Sequence, residues 1–195
     1  VGQTAGFTGT VAASVKEVHE GAKLYLDMVN AKGGVAGQPI VMATMDDKFD
    51  PKLAAENARK LITEKDVVAI FLNRGTPHTE AIAPLLKEYK VPLLAPSTGA
   101  MVLHQPVNPY IFNVRATYQA EAERAVKHLA QVGLTKIAVV QVDDSFGADA
   151  MAGANATFGA MMLVLAAGLS SLEPGETFLR VVRVIGGAFL VFLAV

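Results

Sequence analysis

The chain has no cysteine, no tryptophan and only four tyrosines, and no run of five or six like charges interrupts it. Without cysteine there is no disulfide, no thiolate nucleophile and no zinc–thiolate site, whatever the compartment. Seventeen Lys and Arg against eighteen Asp and Glu leave a formal net charge of −1. That balance argues against a nucleic-acid partner, which calls for a basic patch or stripe. No apolar run reaches the roughly eighteen residues of a membrane span. The nearest, VIGGAFLVFLAV at 184–195, is too short.

Catalytic patterns are missing as well. The four histidines, His19, His78, His104 and His128, stand far apart in no ligand-like spacing, and each reads as a surface or loop histidine. There is no H-E-x-x-H, no G-x-S-x-G elbow, no G-x-x-x-x-G-K-[ST] loop and no G-x-G-x-x-G fingerprint, so neither a metal nor a cofactor is expected. The pairs Asp46-Asp47 and Asp143-Asp144 read as solvating or capping groups at strand ends rather than as an acid and its base. An enzyme has little to work with here.

What the chain does have is a core and a rhythm. Its 195 residues are 52% hydrophobic, enough for one domain or a little more. Apolar residues at Val15, Val18, Ala22, Tyr25, Leu26 and Val29 mark one face of a helix over 12–32, which Gly33 and Gly34 stop. PIVMATMDD reads as a strand, and Asp50-Pro51 as an N-cap followed by Pro at the first helical position. The next helix runs to about Glu64 with Leu53, Ala54, Asn57, Ala58, Leu61 and Ile62 inward. VVAIFL is a strand, and Thr76-Pro77 opens a helix facing inward through Ala81, Ile82, Leu85, Leu86 and Tyr89. Pro84 is expected to kink that helix or move its start. VPLLAP is a strand, NPYIFNVRA is extended, and residues 122–132 form an amphipathic helix capped by Gly133. KIAVVQV reads as a further clear strand, followed by another helix after DDSFG.

Strands alternating with helices imply βαβ units and a parallel sheet, and such sheets bind ligands beyond the carboxyl ends of their strands. Asn73–Thr76, Ser97–Gly99 and Asp143–Gly147 all fall on that rim. Thr76, Ser97 and Thr98 offer hydroxyls, and Gly75 and Gly99 leave backbone N–H groups approachable. Thr76 also opens a helix, whose free N–H groups favour a carboxylate. The competing reading is that Thr76 and Ser97 only cap or end their elements, as Ser and Thr commonly do.

Beyond Gly159 the pattern breaks. From Ala160 to Val195 the only charges are Glu173, Glu176, Arg180 and Arg183, with neither a clean strand alternation nor a polar helix face.

The stretch GFTGTVAASVKEVHEGAKLYLDMVNAKGGVAGQPIVMATMDDKFDPKLAAENARKLI, with PLLAPSTGA and VVQVDDSFGADA further on, resembles the leucine/isoleucine/valine-type periplasmic binding proteins over about residues 2–159. The resemblance implies an α/β fold of two lobes, each a three-layer parallel sheet with helices on both faces, joined by a hinge and closing on a small ligand without catalysis. It implies that the ligand's carboxylate is held by Thr76 with neighbours Gly75 and Pro77, and that Ser97, Thr98 and Gly99 add contacts to its polar head. Phe146 and Tyr118 are implied to line the site from the second lobe. An ABC transporter permease is the implied partner, and the periplasm the implied location, with the signal peptide already removed.

Departures accompany it. Ser14 stands where an aromatic is common, and Arg74 either admits a second acidic group or guards the mouth. The family runs to about twice this length, so Val1 reads as the last remnant of the first strand. The organisation expected is a first lobe over 1–116, the beginning of an incomplete second lobe over 117–159, and an atypical apolar tail over 160–195. The function expected is capture of a small amino acid or related carboxylate. A single-domain nucleotide- or flavin-binding enzyme and a fragment without a working site remain as alternatives.

Overall fold

The computed structural model describes residues 1–134 and 137–170. The chain divides into two compact units, 1–154 and 155–195. The sheet and cleft described below lie in the first. The apolar stretch from residue 171 onward, and Lys136 within KIAVVQV, lie outside the described residues.

Five strands build one parallel sheet: β1 (Gly2–Ala5), β2 (Ala43–Asp46), β3 (Ile70–Phe71), β4 (Leu93–Leu94) and β5 (Ile111–Phe112). Their spatial order is β2-β1-β3-β4-β5, with Gly2 opposite both Ala43 and Ile70. The first strand is therefore an inner strand of the sheet, and it lies at Gly2–Ala5 rather than ending at Val1. Its four residues, Gly-Gln-Thr-Ala, are all buried yet carry no apolar run that would betray a strand. Side-chain hydrogen bonds replace that run: Gln3 Nε2 donates to the Leu72 carbonyl (3.1 Å), and Thr4 Oγ donates to the Asp47 carboxylate (3.0 Å).

Side chains alternate between the two faces of a strand, and Gln3 and Thr4 use this to recruit different helices. Gln3 Oε1 meets Nδ1 of His19 at 2.7 Å, on α1 (Ala12–Ala31). Thr4 meets Asn57 at 3.4 Å, on α2 (Pro51–Thr63). Helices thus cover both faces, giving three layers. The apolar core lies on the Thr4 side, where Ala54, Ala58, Leu61, Ile82, Leu86 and Leu93 are each sealed from solvent. On the other face α1 buries only Val15 fully; Val18 and Tyr25, on the stripe that periodicity turns inward, remain 42% and 64% exposed.

The helix termini follow local chemistry. Asp50 caps α2, accepting from the Lys52 and Leu53 N–H groups at 2.8 and 3.3 Å, with Pro51 following. Helix α3 (Thr76–Tyr89) begins at Thr76 and keeps Pro84 inside it, so the proline does not move the start. Pro84 sits on the exposed side, while Ile82, Leu85 and Leu86 face the core. Helix α4 (Tyr118–Gln131) starts four residues earlier than its apolar spacing predicts, because Thr117 caps it through the Ala120 N–H at 3.2 Å. A helix α5 runs from Ser145 to Ser170, so the stretch after Gly159 is helical as far as Ser170.

KIAVVQV is the clearest departure from the sequence reading. Residues 137–142 form no strand, and Val140 is 96% exposed. A strand is stabilised by its ladder, and no described strand lies beside this one. Apolar β-branched composition supplies the propensity but not the partner.

Candidate functional site

The strand order changes direction around β1: β2 lies on one side, β3 and those after it on the other. Loops leaving the carboxyl ends of β1 and β3 therefore diverge, opening a crevice between them. A cleft of about 580 Å³ lies there. The loop after β1 contributes Val11, the turn after β2 contributes Phe49, and the loop after β3 contributes Arg74, Gly75, Thr76 and Pro77. Ser97 enters beyond β4, and Arg115, Tyr118, Glu121 and Phe146 line the opposite side.

Of the residues singled out from sequence, Gly75, Thr76, Pro77, Ser97, Tyr118 and Phe146 line this cleft. Thr98 and Gly99 do not, and each has a structural task instead. Thr98 is fully buried, and its hydroxyl lies 2.7 Å from that of Thr76, which is 1% exposed. This hydroxyl pair ties the loop after β4 to the start of α3. The Gly99 carbonyl accepts the Tyr118 N–H at 2.8 Å, and a Cβ at Gly99 would come within 2.4 Å of the Ala116 carbonyl oxygen. Gly99 is small because the crossing chain passes against it.

The loop after β3 is locked from beneath. Asn73, fully buried, donates to the Thr79 hydroxyl (2.7 Å), which donates to the Gly75 carbonyl (2.8 Å). The Ser97 N–H donates to the Asn73 carbonyl (2.8 Å). The chain leaves β3 and β4 through Leu72 (φ 53°) and Ala95 (φ 51°), left-handed residues of about 1 kcal/mol or more in strain each. Gly75 at φ 99° precedes α3 and offers no side chain to cap its first turn, leaving backbone N–H groups there for another acceptor.

His78 corrects the reading of the histidines as surface or loop residues. It is 2% exposed and stacks on Phe49 with ring centroids 4.3 Å apart and planes at 26°. Neither ring nitrogen has a hydrogen-bond partner among the described residues. Its position in the first turn of α3, two residues after Thr76, is the signal that marks it as part of the rim's foundation. Phe49, which has a left-handed backbone (φ 62°), is fixed by its N–H donating to the Asp47 carboxylate at 2.9 Å.

Asp47 is fully buried. Burial pushes its carboxyl up from the ordinary value near 3.8, and hydrogen bonds from Phe49 and Thr4, with the field of His78, offset only part of the rise. A raised carboxyl favours folding most when protonated, so its contribution is fully present below about 3.8 and lost as pH rises through the raised value. Asp47→Asn is expected to remove that slope. Melting temperatures of both proteins measured from pH 3 to pH 7 check this, and parallel curves would refute it.

Charge in the cleft is uneven. Arg115 forms a two-pronged ion pair with Glu121 (2.6 and 2.7 Å) and lies over the Tyr118 ring at 4.9 Å. Tyr118 in turn meets Phe146 edge to face, centroids 4.9 Å apart. Asp144 caps α5 by accepting the Gly147 N–H at 2.9 Å.

Comparison with known proteins gives a consistent family. The family model described as periplasmic binding protein matches residues 1–168. A Leu/Ile/Val-binding protein homolog of Brucella melitensis is 27% identical over 153 residues, covering 75% of this chain and 40% of the relative. The crystal structure of a substrate-binding periplasmic protein from Ralstonia solanacearum superposes with TM-score 0.78 and 30% identity, covering 82% of this chain and 45% of that one. A solute-binding protein of an ABC transporter from Rhodopseudomonas palustris BisB5, solved with 3,4-dihydroxybenzoic acid, gives TM-score 0.73 and 28% identity, covering 82% and 43%. The chain spans less than half the length of these relatives.

Proposed function

Because this chain belongs to the type I periplasmic binding proteins, we propose that it captures a small solute, an amino acid or related carboxylate, for an ABC-type uptake transporter. In this reading it works in the periplasm and presents its ligand to a membrane permease. The observation that carries it is the cleft of about 580 Å³ at the carboxyl edge of the sheet, where the uncapped start of α3 meets Ser97. The ligand's carboxylate would accept from backbone N–H groups of that first turn and from the Ser97 hydroxyl. Phe49, Pro77, Tyr118 and Phe146 would enclose its body. The relatives support the class: one is named for leucine, isoleucine and valine, and another was solved with an aromatic acid. These relatives are named as binding proteins, which supports capture without chemistry.

A thermal-shift screen of the chain against amino acids, small carboxylates, nucleotides and FMN tests this, since a ligand specific to the folded state raises its stability by mass action. A shift with an amino acid or carboxylate is expected, and the Thr76→Ala/Ser97→Ala double variant should lose it. A shift only with a nucleotide or FMN would overturn the proposal. An unaltered shift in the double variant would remove the site assignment.

A further inference from the structure

Resting on the receptor reading, we infer that Phe49 is a specificity-determining wall of the cleft and selects a solute whose body is a flat aromatic ring. Phe49 lies in the turn after β2, between Asp47 and Asp50, and lines the cleft. Two consecutive residues of this turn are left-handed without being glycine, Lys48 at φ 52° and Phe49 at φ 62°. For a bulky aromatic that backbone is an outlier, and glycine or asparagine would adopt it with less strain. The surroundings hold it nonetheless. The N–H groups of Lys48 and Phe49 donate to the carboxylates of Asp46 and Asp47, each at 2.9 Å, and the Asp50 N–H donates to the Asp47 carbonyl at 2.8 Å. Gly6, in the loop after β1, leaves room for the turn: a Cβ there would come within 3.1 Å of the Phe49 nitrogen and 3.2 Å of its Cβ. Strain fixed by several contacts at a residue lining a cleft marks a functional position. What Phe49 supplies there, and an unstrained residue would not, is its ring.

One face of that ring lies against His78, itself buried, with centroids 4.3 Å apart, so Phe49 is backed by a packed ring rather than by solvent. Its other face and its edge are left for a solute, since the residue is only half-buried. Tyr118 and Phe146 line the opposite side of the cleft, edge to face with planes at 79°. Aromatic rings meet one another in offset-stacked or edge-to-face contacts, each adding about 2- to 10-fold in affinity beyond the burial of area. An aliphatic body gains the burial alone. Burial by itself gives the opposite order of affinities, because a saturated ring presents more apolar surface than a flat ring of the same carbon count. A preference for the flat ring therefore reports the aromatic wall and not hydrophobicity in general.

Matched solutes test this. Isothermal titration of the 195-residue chain would compare benzoate with cyclohexanecarboxylate, and L-phenylalanine with L-cyclohexylalanine; each pair shares its polar head and its number of ring carbons. In at least one pair the aromatic member is expected to bind about 5- to 10-fold more tightly than the saturated one. Phe49→Leu, which keeps an apolar side chain, should reduce that ratio to about 2 or below, and Phe49→Tyr should preserve it. Circular dichroism establishes that each variant is folded. If Phe49 served only to cover His78, Phe49→Leu would weaken both members of a pair together and leave their ratio unchanged. That result, or equal or tighter binding of the saturated solutes, would overturn the inference and leave the receptor reading in place. No binding of any of the four solutes would also overturn the inference. A thermal shift with an aliphatic solute in the wider screen would then keep the receptor reading, and silence there would remove both.

Discussion

Gly75→Ala is expected to abolish solute binding and to lower the folding free energy by about 2–4 kcal/mol. Two effects add at this position. Its backbone, at φ 99° and ψ 139°, lies where residues with a side chain are rarely found. A Cβ would also come within 2.5 Å of Nδ1 of His78, a buried ring stacked on Phe49. Relief would require the start of α3 to shift or His78 to push Phe49 into the cleft, and either changes the surface that meets the ligand. Gly133→Ala is the control. Gly133 is also left-handed, at φ 85°, but nothing lies within 4 Å of its would-be Cβ. That variant should cost only about 1 kcal/mol and leave affinity unchanged. Urea unfolding and isothermal titration on both variants check the contrast, and equal effects at the two glycines would contradict it.

Leu61→Ala is expected to cost about 2–5 kcal/mol of stability while leaving the affinity of the folded protein intact. Leu61 is fully buried in the cluster between α2 and the sheet. It packs near Gly2, at the amino end of β1, whereas the cleft opens beyond the carboxyl ends of the strands. Truncation removes three buried carbons, and neighbours such as Ile70 and Leu86, themselves sealed, can close the gap only partly. Urea midpoints measure the loss. A changed dissociation constant under conditions where the variant is fully folded would show that core and rim are coupled more tightly than this account holds.

The contrast between these two residues mirrors what was readable in the sequence. Leu61, Ile82 and Leu86 announce themselves by helical spacing, and the structure buries all three. The parallel sheet followed from alternation of strands and helices, and the cap at Asp50-Pro51 from local chemistry. What sequence reading missed depends on neighbours distant in the chain. Strand β1 is buried through hydrogen bonds of Gln3 and Thr4 to residues 43–69 positions away, so no apolar run marks it. KIAVVQV has the composition of a strand, but no strand lies beside it among the described residues. His78 is buried because the turn after β2 brings Phe49 over it. At the rim, the hydroxyl and glycine residues after β3 and β4 do converge, but Thr98 faces Thr76 and Gly99 faces the crossing chain rather than the cleft. Residue type located the loops; only the packing separates lining from support.

The most direct test is to follow backbone amide resonances of the chain by NMR while amino acids and small carboxylates are titrated in. The account predicts that the largest shifts fall on Gly75, Thr76, His78, Ser97, Tyr118 and Phe146, with the core of α2 unmoved. Shifts concentrated away from the carboxyl edge of the sheet, or no saturable shift with any of these solutes, would contradict it.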